Sequence, residues 1–275
     1  EEYGISAACN KFILNAEEVS RVDLRTGIAM VLAYREPTAK GENAIEGGLQ
    51  PTGSFVYFRH KRDGVAGRLG RVRLLTFEEE SFDPPGGAPL GPFTVDGDAI
   101  VFTGGGKLWQ WMPPAAPLVL AELEAGEEVR DIQNALSHFW LVTNKGLKRR
   151  PVNQPTAPLE LMLGGDFFRL AVDPQSVAVA GKLGGTLGAY RFDGTPGAFT
   201  TMVSGNMPAI AVGRGAAYFT RQNGANTQLV AADGTQLAEL PVFWGAIPQV
   251  RVLPDRILMA EHGVFYSGAP AGTAT

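Results

Sequence analysis

Short apolar runs rich in β-branched and aromatic residues alternate with polar turns along this chain, and one kind of run returns seven times. The runs are KFILNA at 11–16, SFVYFRH at 54–60, AIVFTGG at 99–105, HFWLVTN at 138–144, SVAVAGK at 176–182, AAYFTRQ at 216–222 and RILMAEH at 256–262. Each ends in small or polar residues, the pattern of a buried strand that runs out into a turn. Aligned on Leu14, Phe58, Phe102, Val142, Ala180, Phe219 and Met259, they are separated by 44, 44, 40, 38, 39 and 40 residues. The stretches 35–48 and 79–92, rich in polar residues, Pro and Gly, read as insertions that lengthen the first two intervals.

Every unit carries further short strands around this marker. One precedes it, as in GPFTVD, FRLAVD or PAIAVG. Another follows, as in GRVRLL, KLWQWM or LGAYRF, and a fourth completes most units, as in LVLAEL. Residues 131–136 are the one stretch with some helical character, and their place in the repeat makes them a strand. A fixed period with four strands per unit predicts an all-β chain, a seven-bladed β-propeller of four-stranded antiparallel blades, with six blades as the alternative. The prediction is one domain over residues 1–275. The last unit lacks an evident fourth strand, so closure is expected from residues near Gly272–Thr275 or from the N-terminus.

The stretches FRLAVDPQSVAVAGKLGGTLGAYRFDGT (168–195) and PAIAVGRGAAYFTRQNGANTQLVAADGTQ (208–236) resemble repeats of the NHL and YWTD β-propellers. The pattern is loose. The WD dipeptide and the kelch Gly-Gly/Trp signature are missing, and the YWTD core is intact in no unit. The resemblance implies a fold, and a link to secreted bacterial propellers of uncharacterised role. It does not imply a chemistry.

Composition narrows the function classes. The 35 Gly and 19 Pro are spread along the chain, as many tight turns require. A net charge of −4 speaks against nucleic acid as a partner. No apolar run reaches the roughly 18 residues of a membrane helix. Cys9 is alone, so no internal disulfide and no cysteine-based metal cluster is expected. Ile5–Cys9 faintly resembles a lipoprotein cleavage box, but Cys9 reads better as an ordinary strand residue. The compartment is not legible, with a slight lean to an exported bacterial protein, periplasmic or extracellular.

Catalytic motifs are missing. There is no Gly-x-Ser-x-Gly elbow and no His-Glu-x-x-His helix. Gly104-Gly105-Gly106-Lys107 lacks both the first Gly and the Ser/Thr of a phosphate loop, and reads as a hairpin. Asp96-Gly97-Asp98, Asp193-Gly194 and Asp233-Gly234 read as turns rather than calcium loops. No metal or other cofactor is expected. His60 and His262 fall at the same place in units two and seven, beside Glu261, and these three residues define an alternative: a hydrolase or lyase site at a channel mouth. His138 sits at the opposite end of its strand.

The leading expectation comes from charge placement. The ends of the marker strands carry Arg59, Lys61, Arg62, Lys107, Lys145, Lys182 and Arg221, whereas the turns at the other end are mainly acidic, with Lys148, Arg149 and Arg150 as the clear exceptions. A basic loop face would draw an acidic protein or peptide partner. Trp244 would anchor it, with Asp166 and Asn206 in equivalent loops of earlier units. Trp109 and Trp111, two apart on one strand, read as packing between blades, or as the platform of a carbohydrate- or small-ligand-binding propeller. The function expected is thus a non-enzymatic protein- or peptide-binding propeller. The oligomeric state is not legible.

Overall fold

The structure is a computed structural model that describes residues 2–5, 10–14, 17–23, 26, 28–35, 43–84, 87–204, 209–213, 215–224, 226–241, 249–252, 257–261 and 264–268. Among these there is no α-helix. The chain divides into two compact units, residues 1–124 and 125–275.

The first unit holds three sheets. β1 (Glu2–Ile5), β2 (Asn10–Leu14), β3 (Glu18–Asp23) and β4 (Ala29–Tyr34) form one. β5 (Ala44–Pro51), β6 (Phe55–Arg62), β7 (Val65–Arg73) and β8 (Glu79–Phe82) form the second. β9 (Phe93–Asp96), β10 (Ala99–Gly104), β11 (Lys107–Trp111) and β12 (Leu118–Glu122) form the third. Each is an antiparallel meander in chain order.

The second unit repeats the plan. β13 (Val129–Ala135), β14 (His138–Thr143), β15 (Gly146–Pro151) and β16 (Glu160–Gly164) come first. β17 (Asp166–Val172), β18 (Val177–Leu183), β19 (Thr186–Phe192) and β20 (Phe199–Ser204) follow. Then come β21 (Ile210–Gly213), β22 (Ala216–Asn223), β23 (Asn226–Ala231) and β24 (Gln236–Pro241). The last sheet has three strands among the described residues: β25 (Gln249–Val252), β26 (Ile257–Glu261) and β27 (Val264–Gly268). All seven marker runs are the second strands of their sheets, and residues 131–136 are strand, largely within β13.

The two expected insertions are corrected. Residues 44–51 are β5, and 79–82 are β8. Gly47 and Gly48 hide the first of these, because they adopt left-handed φ values of 111° and 77° at a point where the pairing with β6 slips twice. Such bulges absorb extra residues without ending a strand, so the polar, glycine-rich text conceals it. In β8 the acidic run Glu78–Glu80 hides a strand whose side chains are only partly covered.

Within each unit, successive sheets pack face to face through alternate side chains. Val19, Leu32 and Ala33 of the first sheet meet Ile45, Val56 and Phe58 of the second. Tyr57 and Leu69 meet Phe93, Phe102 and Trp111 of the third. In the second unit, Trp140, Val142 and Leu147 pack on Phe167, Val179 and Phe192. Both faces of the middle sheets are therefore apolar, and their central strands read as nearly continuous hydrophobic runs: five successive residues of β14, Phe139 to Thr143, are buried. This burial of both faces made the markers legible.

The three-glycine stretch is a hairpin. Gly105 and Gly106, with φ values of 58° and 73°, form the two-residue turn from β10 to β11, the conformation that glycine accepts without a Cβ clash.

Candidate functional site

His60, the one histidine at the end of a marker run among the described residues, is not a loop residue. His60 lies in β6 on the same face as Phe58, with no solvent exposure. Its Nε2 is 2.9 Å from Ser81 Oγ on β8. Burial, aided by the charge of Arg35, lowers its pKa from 6.5 to about 4. Its Nδ1 is buried without a hydrogen-bond partner, so no carboxylate aligns the ring as in a catalytic triad. A ring that stays neutral well below pH 6 is a weak base, and one with no exposed surface cannot touch a substrate. His262 lies outside the described residues; Glu261 ends β26.

Arg62 and Ser81 share a hollow of about 440 Å³ with Tyr34, Arg35 and Asn43 in the first unit. Arg35 there is clamped on Glu79 through both amino groups. Arg62 is exposed and sits 3.9 Å from Asp63.

The remaining expected cations are largely spoken for. Arg59 turns to the opposite face of β6 from His60, where its amino groups reach the carbonyls of Leu90 and Glu46, both at 3.4 Å. Lys107 pairs with Glu122 at 3.2 Å and lies over Trp109. Lys145 donates to the carbonyl of Ala125 at 2.9 Å. Arg221 donates through Nε to Gln228 at 2.8 Å. Lys61 is half-buried, whereas Lys182 is exposed at the end of β18. Asp166 accepts from Arg130 at 2.7 Å. Carboxylates thus stand beside several cations at this end of the sheets, a mixture that weakens the one-signed field expected from the sequence. Trp244 and Asn206 lie outside the described residues.

The paired tryptophans belong to packing. Both indole N–H groups donate to backbone carbonyls, Trp109 to Gly104 and Trp111 to Ala115. The Phe102 ring lies 6.3 Å from one and 6.1 Å from the other, on the same face.

A cleft of about 410 Å³ opens at the opposite end, in the second unit. One wall comes from the β13–β14 turn, β14 and β15: Leu136, His138, Trp140 and Arg149. The other comes from the neighbouring sheet: Ser176, Val177, Arg191, Phe192 and Asp193. Gly215, between β21 and β22, closes it. On the floor, Trp140 meets Phe192 at 5.9 Å. Arg149 is the cross-strand partner of Trp140 and lies over its ring, 5.8 Å from the centroid.

The cationic groups of this cleft are tethered rather than quenched. Arg149 binds Glu160 through Nε at 2.9 Å, and Arg191 approaches Asp193 through Nε at 3.4 Å. Neither has a further hydrogen-bond partner for its terminal amino groups among the described residues. A guanidinium held this way keeps its outer fork for an anion. His138 Nδ1 lies 2.6 Å from the carbonyl of Leu136. A carbonyl only accepts, so Nδ1 carries a proton, which in the uncharged tautomer leaves Nε2 as the ring's acceptor.

Two backbone devices shape the cleft. Leu136 and Ser137 form the β13–β14 turn with φ values of 57° and 59°, a left-handed pair normally given to Asn-Gly. Buried Asp173 ties two turns together. Its Oδ1 accepts from the Gln175 and Ser176 backbones at 2.7 and 2.6 Å, and its Oδ2 accepts from Gly215 at 3.2 Å. Sequence reading set Arg149 aside as an exception and His138 as misplaced. The available signal was a histidine directly after a two-residue turn, with an arginine opposite an aromatic on the next strand.

No protein-family model matches the chain, and no curated protein matches it in sequence. Solved structures do. Virginiamycin B lyase from Staphylococcus aureus superposes with a TM-score of 0.67 at 16% identity, over 94% of this chain and 90% of that one. The β-propeller domain of Cps50 (Swd1) from Myceliophteria thermophila gives 0.62 at 10%, over 94% and 92%. The fold is a β-propeller. A chain of the mitotic checkpoint complex matches this propeller with a TM-score of 0.67 at 10% identity, over 94% of this chain and 82% of its own. An enzyme and a member of a protein assembly fit it equally well, and at such identities the likeness is one of fold alone.

Proposed function

We propose that this propeller is a non-enzymatic binding module, and that it takes an anionic peptide, free or as part of a protein partner, in the cleft of its second unit. One observation carries the reading: Arg149 and Arg191 reach that cleft from neighbouring sheets, each tethered at Nε and with its outer amino groups unclaimed. The volume suits a side chain or chain end and falls in the range of ligand pockets. The cations at the marker-strand ends, Lys182 and Arg221 foremost, add a diffuse steering field. Residues 1–275 are read as one propeller domain whose seven sheets correspond to seven blades. Against a His60 enzyme stand its complete burial and its low pKa.

The test is fluorescence polarisation with labelled octapeptide pools, one acidic, one basic and one neutral. The acidic pool is expected to bind. Arg149→Glu/Arg191→Glu should weaken it at least about tenfold, since each charge-assisted contact contributes about 1.5–3 kcal/mol. Lys182→Glu/Arg221→Glu should change it much less. Equal binding by both double variants and the wild type would remove the cleft from the account.

A further inference from the structure

We infer that the cleft is built for the free C-terminal residue of a peptide, its terminal carboxylate held between Arg149 and Arg191; this rests on the binding reading above. Four features of the cleft converge on that ligand.

The first is the pair of forks. Arg149 and Arg191, from adjacent sheets, line the same cleft, and each has terminal N–H donors of the kind that pair with the two oxygens of a carboxylate. The second is the charge count. Glu160 and Asp193 already stand beside the two arginines, so one added carboxylate brings a single excess negative charge, whereas a run of them adds like-charge repulsion.

The third feature is an acceptor. With Nδ1 donating to the carbonyl of Leu136, His138 in its uncharged tautomer has Nε2 as an acceptor for a donor from the ligand. In a C-terminal residue the carboxylate and the backbone N–H are attached to the same Cα atom. In an internal Asp or Glu they are further apart, separated by side-chain methylenes. A site with cationic donors and a neutral acceptor in one small cleft therefore matches the chain end. The fourth is an apolar contact. Leu136 is 40% exposed at the rim, and the edges of Trp140 and Phe192 form the floor, where the last side chain would rest. Capture of a terminal carboxylate by fixed donors is an established way of reading a chain end.

The experiment compares three hexapeptides of the same core sequence by calorimetry: one with a free C-terminal Leu and no acidic side chain, one amidated with an internal Glu, and one amidated without acid. The free acid should bind at least about tenfold more tightly than either amide, and Arg149→Gln and Arg191→Gln should each abolish that preference. Replacing the last peptide N–H by an ester oxygen should weaken binding about fivefold in the wild type and leave His138→Leu unchanged, as expected for one lost hydrogen bond. If the internal Glu amide binds as well as the free acid, with both arginines still required, the chain-end inference falls and the anionic-peptide reading survives. If no peptide binds, or if binding ignores both arginines, both fall. Circular dichroism of each variant establishes that it is folded.

Discussion

At the scale of single residues, the chemistry is decided by what each titratable group faces. His60 is the clearest case. Its pKa in the folded chain is near 4, against 6.5 for an ordinary histidine, because burial disfavours the charged ring and Arg35 adds like charge. The unfolded chain therefore takes up the proton first as pH falls. Stability is complete above about pH 6.5 and drops between there and pH 4, by up to about 3 kcal/mol for a shift of this size. Urea denaturation across that window should show the loss in the wild type and a flatter profile in His60→Gln. A wild-type profile with no slope between pH 6.5 and 4 would mean that His60 is not held neutral. The sequence reading put His60 just past a marker strand, but β6 continues through Arg62 before it turns, so the ring lies inside the strand and is buried. Lys148, Arg149 and Arg150 make the same point. Alternation along β15 sends Lys148 and Arg150 to one face, where Lys148 meets Glu127 at 2.8 Å and Arg150 donates to the Ala157 carbonyl. Arg149 alone turns to the cleft. Read as one basic cluster they suggest a patch; read by period they separate into two structural residues and one available for binding.

At the scale of elements, the turns carry what the strands do not. The strands were legible because each second strand is buried on both faces, which leaves an apolar run in the text. The cleft was not, because its walls come from strand ends and turns of different sheets: Leu136 and Phe192 are far apart in sequence and line one cleft only through the packing of those sheets. The β13–β14 turn holds Leu136 and Ser137 in a left-handed conformation that costs non-glycine residues about 1 kcal/mol each. Backbone strain of this kind collects at functional sites. Leu136→Asn/Ser137→Gly should therefore stabilise the fold by about 1–2 kcal/mol in thermal or chemical denaturation. It should also weaken peptide binding, because Leu136 leaves the rim. Stabilisation with unchanged affinity would show that the turn is only a connector.

At the scale of the whole molecule, a propeller repeats one sheet and differentiates it through loops, which is why its fold could be read from a period while its function could not. The seven markers recur every 38 to 44 residues, and each proved to be a second strand. The net charge of −4 gave no hint of two arginines gathered in one cleft, nor that cations such as Lys107 and Arg62 stand beside carboxylates. Binding in that cleft is tested most directly by amide hydrogen exchange, with and without a saturating acidic peptide pool. Slowed exchange is expected at the turns 136–138, 173–177, 193–198 and 215, and there alone. Protection centred instead on 59–64, 105–107, 144–145, 182–185 and 221–224 would return the site to the marker-strand ends and contradict it.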